Sequence, residues 1–521
     1  MITPTEFDQL VAQGYNRIPL SVEAFADLET PLSLYLKLAH TSAASPGAEP
    51  GANSFLLESV VGGERFGRYS FIGLPARTLL RATGFGAEAK TEVVTDGRVV
   101  ETAQGNPLDF IAAYQQRFKV AIKPGMPRFC GGLAGYFGYD AVRYIEKKLE
   151  ASCPPDDVGT PDILLLQCEE LAVIDNLSGK LHIMVYADPA QPRAYARGQA
   201  RLAELKARLR SAVFPPATPA TAPQPVSSNR TQADFLAAVD RAKALIAGGD
   251  CMQIVMGQRM AKPYTQSPLS LYRALRSLNP SPYMYYYNFH GADGAGGDLH
   301  VVGASPEILV RQETVEVDGK TGVKATIRPL AGTRPRAATP EADLAAEKDL
   351  LADPKERAEH VMLIDLARND IGRIARIGSV KVTEAFAIER YSHVMHIVSN
   401  VEGILNEGPE GRSLGNMDVL KATFPAGTLS GAPKVHAMEL IDQLEPTKRG
   451  VYGGACGYLS FGGDMDVAIA IRTGVVKDGV LYVQAAAGVV ADSVPEMEWR
   501  ETEHKARALL RAAELVEGGL E

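Results

Sequence analysis

The sequence has 521 residues, of which 46% are hydrophobic and 22% are charged, with a formal net charge of −8. That is an ordinary globular balance with room for two to four domains of ~100–200 residues. The negative charge excludes a general attraction to nucleic acid, and no apolar run approaches the ~18 residues of a membrane span. The five cysteines are scattered without a CxxC spacing, and no secretory signal pattern opens the chain. We therefore expect a cytoplasmic protein without a disulfide framework or a zinc site.

One segment of biased composition divides the chain. Residues 214–230 are rich in Pro, Ala, Thr and Ser and contain almost no core-forming side chains. Such a stretch is typical of a semi-rigid linker or an exposed loop. The sequence therefore predicts an N-terminal domain at 1–213, the linker at 214–230 and a second domain at 231–521.

Downstream of the linker the periodicity predicts several elements. They are helices at 234–247, 354–374 and 495–517 and strands at 301–303 and 481–485. Each of the last two helices opens with a proline, and Asp353 and Ser493 lie near their cap positions. Because helices and strands do not alternate regularly, we expect an α+β fold and not a doubly wound sheet.

The two proline-initiated helices each carry a pair of glutamates in the first turns. Glu356 and Glu359 share one helix face, and so do Glu498 and Glu501. Glutamates at this spacing usually form a solvated face. If the pairs meet, two carboxylates at ~4 Å repel by about 4 kcal/mol at an effective dielectric of about 20. Four of them in one cleft require a cation or protons, and an all-oxygen site suits Mg²⁺.

Four long segments, in order along about 280 residues, resemble the chorismate-utilising enzymes. They are GASPE at 303–307, KERAEHVMLIDLARNDIGR at 355–373, FPAGTLSGAPK at 424–434 and QAAAGVVADSVPEMEWRE at 484–501. The resemblance implies a fold in which antiparallel β-sheets pack as a sandwich with helices outside. It also implies that 231–521 is the chorismate-binding catalytic domain.

The resemblance implies roles for individual residues. Glu307 would be the general acid that protonates the departing ring hydroxyl, with His396 assisting proton movement. Thr333 and Gln253 complete the implied catalytic set. The implied Mg²⁺ ligands are Glu359 and Glu501, with Glu356 and Glu498 in the same shell. The implied chorismate-binding residues are Gly332, Thr333, Tyr452, Arg472, the backbone of Ala486, Ala487 and Gly488, and Lys505. The family often has Gly where this chain has Ala486.

Two positions predict which reaction this member performs. Members that use water as nucleophile carry a lysine base where this chain has Gln253, and a neutral amide cannot take a proton from water. Aminodeoxychorismate synthases carry a nucleophilic lysine where this chain has Ala331. The pattern favours a lyase that adds ammonia to ring carbon 2 of chorismate and releases anthranilate and pyruvate. The alternatives are an aminodeoxychorismate synthase component I and a catalytically silent tryptophan sensor.

Two further segments resemble the tryptophan-binding parts of those chorismate-utilising enzymes that tryptophan inhibits. They are LLES at 56–59 and NPSPYM at 279–284. The residues expected to contact L-tryptophan as feedback inhibitor are Glu58, Ser59, Pro282, Tyr283 and Met284, with Glu58 pairing with the amino group. None of the cysteines lies in a Gly-x-Cys-x-Gly turn. A separate glutamine amidotransferase small subunit is therefore expected to supply ammonia, in a heterotetramer of two large and two small subunits.

Overall fold

The computed structural model describes residues 2–40, 52–60, 67–292, 294, 296–317, 319–391, 394–407 and 414–520. Its α-helices are α1 Pro4–Ala12, α2 Pro31–Leu38, α3 Pro107–Gln115, α4 Ala194–Arg208, α5 Gln232–Gly248, α6 Pro268–Leu278, α7 Pro340–Ala352, α8 Pro354–Gly372, α9 Asn416–Thr423, α10 Lys434–Leu444 and α11 Pro495–Glu517. The three predicted helices correspond to α5, α8 and α11, each with a boundary within two residues of the prediction.

The strands are more numerous than the sequence patterns predicted. The first twelve are β1 Ile18–Phe25, β2 Asn53–Glu58, β3 Tyr69–Ala76, β4 Thr78–Thr83, β5 Lys90–Thr95, β6 Arg98–Gln104, β7 Gly132–Phe137, β8 Ile163–Cys168, β9 Glu170–Asp175, β10 Lys180–Ala187, β11 Ser227–Ser228 and β12 Gln253–Pro263. The others are β13 Tyr283–Phe289, β14 Leu299–Ser305, β15 Ile308–Val317, β16 Lys320–Ile327, β17 Leu330–Pro335, β18 Lys381–Arg390, β19 Val394–Ile404, β20 Gly431–Ala432, β21 Ala455–Ser460, β22 Met465–Ile469, β23 Thr473–Lys477 and β24 Val480–Val489.

These strands form two large antiparallel sheets. The first has the order β1-β10-β9-β3-β2-β13-β14-β23-β24-β12-β11, with β20 beside β12. The second has the order β17-β19-β16-β15-β22-β21-β7-β8-β4-β5-β6, with β18 beside β19. β-Branched and aromatic residues, which favour strands, are frequent in these segments.

The two sheets pack face to face over an aromatic core. Phe71 of the first sheet contacts Tyr458 of the second, with ring centroids 5.5 Å apart. Tyr136 of the second sheet contacts Phe289 of the first at 5.8 Å. Helices α2, α4, α6 and α11 cover the outer face of the first sheet, and α3, α8 and α9 cover that of the second. The predicted α+β sandwich with helices outside is confirmed.

Each sheet contains strands from both sides of the predicted linker, in two contiguous blocks that meet at one pairing. In the first sheet β2 pairs with β13, and in the second β7 pairs with β21. Residues 212–226 form neither helix nor strand, and β11 at 227–228 then pairs with β12. The domain limits at 214–230 stay a prediction. No helix among the described residues is long and apolar enough to cross a membrane.

Helix α8 begins at a well-defined cap. The Asp353 carboxylate accepts hydrogen bonds from the backbone N–H groups of Lys355 and Glu356 at 2.9 and 3.3 Å. Proline at the first position has the φ angle that the helix needs and lacks an N–H that would go unpaired. At α11 the cap residue is Val494, while Ser493 accepts a bond from Val490 N–H at 3.0 Å. Both glutamate pairs thus sit in the opening turns of their helices.

Candidate active site

The general acid predicted from sequence, Glu307, lies where the chain crosses from β14 in the first sheet to β15 in the second. Its side chain is buried, and the Thr428 hydroxyl donates to Glu307 Oε1 at 3.2 Å. Burial raises the pKa of Glu307 to about 8, against the opposing effects of the Thr428 hydrogen bond, Lys505 and Arg472. The carboxyl is therefore largely protonated at neutral pH and is able to donate a proton.

His396 lies on β19 opposite Thr333 of β17. Its Nδ1 atom is 2.9 Å from the Gly332 carbonyl and 3.0 Å from the Thr333 hydroxyl. A carbonyl oxygen only accepts, so Nδ1 carries the proton and Nε2 remains an acceptor in the neutral ring. Burial lowers the pKa of His396, which favours that neutral form.

The backbone at Gly332 brings β17 against the start of α8. Gly332 has φ +68°, a conformation that L side chains rarely adopt. A Cβ there would lie 3.1 Å from Leu350 and 3.2 Å from Glu356 Oε2. The glycine therefore permits the close approach between β17 and the first glutamate pair.

The two glutamate pairs act on each other electrostatically. The pKa of Glu359 is raised by burial first and then by the charges of Glu356 and Glu501. The pKa of Glu498 is raised by burial first and also by the charge of Glu501. The helices thus bring both pairs toward one cleft, the convergence on which the predicted site depends.

As placed, these carboxylates do not form a closed coordination shell. No group of three or more His, Cys, Asp or Glu side chains within the described ranges is gathered tightly enough to hold a metal ion. Lys505 Nζ instead lies 2.6 Å from Glu501 Oε1, four residues earlier on α11. The donor set nevertheless fits Mg²⁺, because it is all-oxygen and its mutual repulsion is what a divalent cation relieves.

Positive groups converge on the same cleft. Arg472 precedes β23 with φ +51°, and among the described side chains it makes no ion pair with a carboxylate. Burial lowers its pKa, while the neighbouring Tyr452, Glu501 and Glu307 raise it. Lys505 Nζ donates to the Ala486 carbonyl at 2.8 Å. These cations can hold an anionic substrate that the chain's net negative charge would not attract.

Gln253 begins β12 and is buried beside β24. A hydrogen bond from Gln253 lowers the pKa of Glu359, while the Gln253 Oε1 atom has no hydrogen-bond partner among the described residues. A Cβ on Gly488 would lie 2.8 Å from Gln253 Nε2, so this glycine leaves the room that the amide occupies. Ala486 and Ala487 are buried, and Ala331 is buried on β17.

A second cavity, of about 510 Å³, lies between β2, β13 and β21. All five residues predicted to contact tryptophan line it: Glu58, Ser59, Pro282, Tyr283 and Met284. The Ser59 hydroxyl is buried there without a hydrogen-bond partner among the described residues. Tyr283 donates to Asp466 Oδ1 at 3.1 Å and accepts from Arg311 at 3.2 Å.

Glu58 has partners within the protein, and its expected pairing with the tryptophan amino group stays a prediction. Its carboxylate accepts hydrogen bonds from Arg276 at 3.0 and 3.1 Å and from the Tyr272 hydroxyl, on the side of the sheet that faces α6. Met284 likewise packs in the core on that helical side. Because alternate residues of a strand face opposite sides, Glu58 and Met284 contribute mainly backbone to the cavity.

Sequence reasoning missed Thr428, although it lies inside the FPAGTLSGAPK segment. A hydroxyl in a segment of apolar and small residues was the available signal. Nothing in the spacing indicates that Thr428 meets a carboxyl 121 positions earlier. That contact depends on the path of the chain between β14 and β15.

The chorismate binding enzyme family matches residues 67–511. An anthranilate synthase component 1 from Neisseria meningitidis is 55% identical over 524 residues, covering 100% of both chains. One from Pseudomonas aeruginosa is 55% identical over 525 residues, covering 99% of each.

Solved structures agree. Anthranilate synthase component I from Streptococcus pneumoniae aligns with a TM-score of 0.72 and 35% identity, covering 94% of this chain and 99% of that one. The menaquinone-specific isochorismate synthase from Escherichia coli aligns with a TM-score of 0.67 at 18% identity over 98% and 99%, which shows the shared fold. The chain therefore belongs to the chorismate binding enzymes and, within them, to the anthranilate synthase component 1 proteins.

Proposed function

We propose that the chain converts chorismate and ammonia to anthranilate and pyruvate, in the cytoplasm, as the first step of tryptophan biosynthesis. The observation that carries the proposal is the convergence of the buried acid Glu307 with Arg472, Lys505 and Gln253 in one cleft. The chain is also 55% identical, end to end, to proteins named anthranilate synthase component 1.

The chain's own groups account for the proton movements. Ammonia adds to ring carbon 2, and the 4-hydroxyl leaves as water with the proton that Glu307 donates. Hydroxide is a poor leaving group, so a carboxyl that is still protonated near pH 7 is needed at that oxygen. Neutral His396, with Nε2 as its acceptor, is suited to move a proton beside the ring. The proton on ring carbon 2 is then removed as the bond to the enolpyruvyl oxygen breaks, which forms the aromatic ring, and the released enolpyruvate takes up a proton to give pyruvate.

The choice of ammonia as nucleophile follows from two positions, the buried amide of Gln253 and Ala331, where related synthases have a lysine. Gln253 occupies its site as a neutral group beside Glu359 and cannot deprotonate water. Ala331 offers only a buried methyl group, which excludes covalent attack from that position. Direct addition of ammonia needs neither a base for water nor a covalent intermediate. Loss of pyruvate distinguishes this reaction from aminodeoxychorismate formation.

Glu359 and Glu501, with Glu356 and Glu498 beside them, are the residues that would hold Mg²⁺. When bound, the ion supplies positive charge to the ring carboxylate of chorismate. Arg472 and Tyr452 would hold the enolpyruvyl side chain and its carboxylate. The Ala486–Gly488 backbone would donate amide hydrogen bonds to a carboxylate, and Lys505 would lie near the metal-bound carboxylate. Gly332 and Thr333 border the same cleft.

The partner and the inhibitor are part of the proposal. A glutamine amidotransferase small subunit would deliver ammonia, in a heterotetramer of two large and two small subunits. The relatives' designation as component 1 supports a second component. L-Tryptophan would occupy the cavity of about 510 Å³ at β2 and β13. The buried Ser59 hydroxyl, which has no hydrogen-bond partner in the described part of the chain, supports a polar ligand there.

The test is a product assay with the purified chain. Chorismate, ammonium at mildly alkaline pH and Mg²⁺ are expected to give fluorescent anthranilate, and EDTA is expected to abolish the signal. Excess Mg²⁺ added after EDTA is the control for metal specificity. Turnover that is unaffected by chelation would contradict the Mg²⁺ assignment.

A further inference from the structure

A buried ion pair outside the predicted site joins Glu445 and Arg449. Both residues are almost inaccessible, at 6% and 4% exposure. Arg449 donates from Nη2 and Nε to the two carboxylate oxygens of Glu445, at 2.6 and 2.9 Å. Moving such a pair out of water is costly, and the attraction between the charges often only offsets that cost. Stability alone therefore does not account for the pair.

The Arg449 guanidinium also holds the segment that touches the general acid. Its Nη1 atom donates to the Leu429 carbonyl at 2.7 Å. Leu429 directly follows Thr428, whose hydroxyl donates to Glu307 Oε1 at 3.2 Å. Only one peptide unit therefore separates the group that Arg449 fixes from the group that contacts Glu307.

Both members of the ion pair are hydrogen-bonded to the backbone of strand β12. Arg449 Nη2 donates to the Val255 carbonyl at 2.8 Å, and Glu445 Oε1 accepts from the Gly257 N–H at 2.8 Å. Strand β12 begins at Gln253, two residues before Val255. The ion pair is thus hydrogen-bonded to the strand that carries Gln253, the residue predicted to favour ammonia over water as nucleophile.

Tyr452 is the third active-site group in reach. The guanidinium carbon of Arg449 lies 5.9 Å from the centre of the Tyr452 ring and 4.4 Å from that of Tyr139. Cations over aromatic faces are attracted to the ring quadrupole at such distances. Arg449 therefore lies between Tyr139 and a predicted chorismate-binding ring.

We propose that Arg449, oriented by Glu445, is a positioning residue for the chorismate reaction. It holds the Thr428–Leu429 segment, strand β12 and Tyr452 in one arrangement, and it touches no substrate itself. The inference rests on the proposed function. A lysine cannot replace it, because one ammonium lacks the planar fork that reaches two carbonyls and both carboxylate oxygens.

The experiment is a double-mutant cycle between Arg449→Lys and Thr428→Val. Each single change is expected to lower kcat for chorismate by about 10- to 100-fold, the value of one hydrogen bond to an ionisable group. The effect on KM is expected to be smaller. If Arg449 acts through Thr428, adding the second substitution to the first lowers kcat by less than about threefold.

The pH profile is a readout that a merely structural role would not move. The Thr428 hydrogen bond lowers the pKa of Glu307, as do the charges of Lys505 and Arg472, and Tyr391 also faces the carboxyl. Losing that bond raises the pKa of Glu307. Both single variants are therefore expected to shift the basic limb of kcat/KM to higher pH.

The matched control is Lys262→Met, which breaks another buried ion pair. Lys262 and Glu517 are 2% and 3% exposed, with Nζ 3.1 Å from Oε2, near the other end of β12. This variant is expected to lower Tm while leaving kcat and the pH limb unchanged. If Arg449→Lys does not fold, Glu445→Gln, which keeps the side-chain shape, takes its place in the cycle.

If the effects of the two changes on kcat multiply and the basic limb of the pH profile does not move, the positioning role of Arg449 is overturned. The proposed function is then unaffected. Absence of anthranilate from the wild-type chain would overturn the proposed function and this inference with it. The wild-type assay thus separates the two failures.

Discussion

At the scale of single residues, the acid state of Glu307 comes from its surroundings. Burial raises its pKa to about 8, although Thr428, Lys505 and Arg472 all oppose that rise. The desolvation cost of the charged form outweighs these three groups together with the hydrogen bond from the Leu330 backbone, all of which favour the charged form. The side chain is therefore able to donate a proton at neutral pH.

Replacing Glu307 by Gln removes the proton donor with little change of shape. We expect kcat/KM to fall by about 10²- to 10⁴-fold, the usual contribution of a general acid. Anthranilate fluorescence measures the rate, and chorismate binding by calorimetry is the control, expected to change little. A variant that keeps more than a tenth of the activity would assign the proton donation to another group.

The pH dependence has a definite sign. The acid must be protonated, so kcat/KM is expected to fall above about pH 8, after correction for the concentration of unprotonated ammonia. Glu307→Gln, assayed at high enzyme concentration, is expected to lack that basic limb. A limb that persists unchanged in the variant would show that it belongs to a different residue.

The same pKa shift predicts that replacing Glu307 by Gln stabilises the fold at alkaline pH. The folded chain holds the Glu307 proton up to about pH 8, while the unfolded chain releases it near the ordinary value of 4.5. Stability therefore declines as the pH rises through that window. Because one pKa unit corresponds to about 1.4 kcal/mol, Glu307→Gln is expected to raise the unfolding free energy at pH 8.5 but not at pH 4. Denaturant melts at both pH values measure the difference.

At the scale of elements, the helix starts were predictable and the contacts between elements were not. Proline and an acidic or hydroxyl residue mark the openings of α8 and α11, so the sequence placed both glutamate pairs. The link between Thr428 and Glu307, and that between Arg449 and β12, join residues far apart in sequence. No local pattern encodes them. The contact of Glu58 with Arg276 of α6, by contrast, follows a local pattern, because alternation along a strand places Glu58 and Ser59 on opposite faces of the sheet.

The approach of β24 to β12 provides an element-scale prediction. A Cβ at Gly488 would lie 2.8 Å from Gln253 Nε2, closer than side chains tolerate. Gly488→Ala is therefore expected to displace the amide and lower kcat/KM at least about tenfold. Gly372→Ala is the control, because its Cβ would meet nothing within 4 Å, and it is expected to leave the rate unchanged. Equal rates in the two variants would contradict the placement of Gln253.

At the scale of the whole molecule, the two halves of the chain share both sheets. The pairing of β2 with β13 joins the LLES and NPSPYM segments along the wall of the cavity that we assign to tryptophan. A ligand there contacts strands from both sides of residues 214–230. It changes activity only if it binds one arrangement of the two halves more tightly than the other.

Filling that cavity tests this regulatory role. Ser59→Leu places a larger apolar side chain where the buried Ser59 hydroxyl lies, and it is expected to weaken tryptophan binding at least about 100-fold. Ammonia-dependent activity is expected to persist without inhibition. Calorimetry and inhibition assays measure both effects, with exposed Ser211→Leu as the control. Full inhibition of Ser59→Leu would place the inhibitor elsewhere.

The most direct test of the central claim is the fate of labelled ammonia. The chain is incubated with chorismate, Mg²⁺ and ¹⁵N-ammonium, and the products are identified by NMR and mass spectrometry. The account predicts anthranilate that carries one ¹⁵N atom, with an equimolar amount of pyruvate. Labelled aminodeoxychorismate without pyruvate, or an unlabelled hydroxylated product, would contradict it.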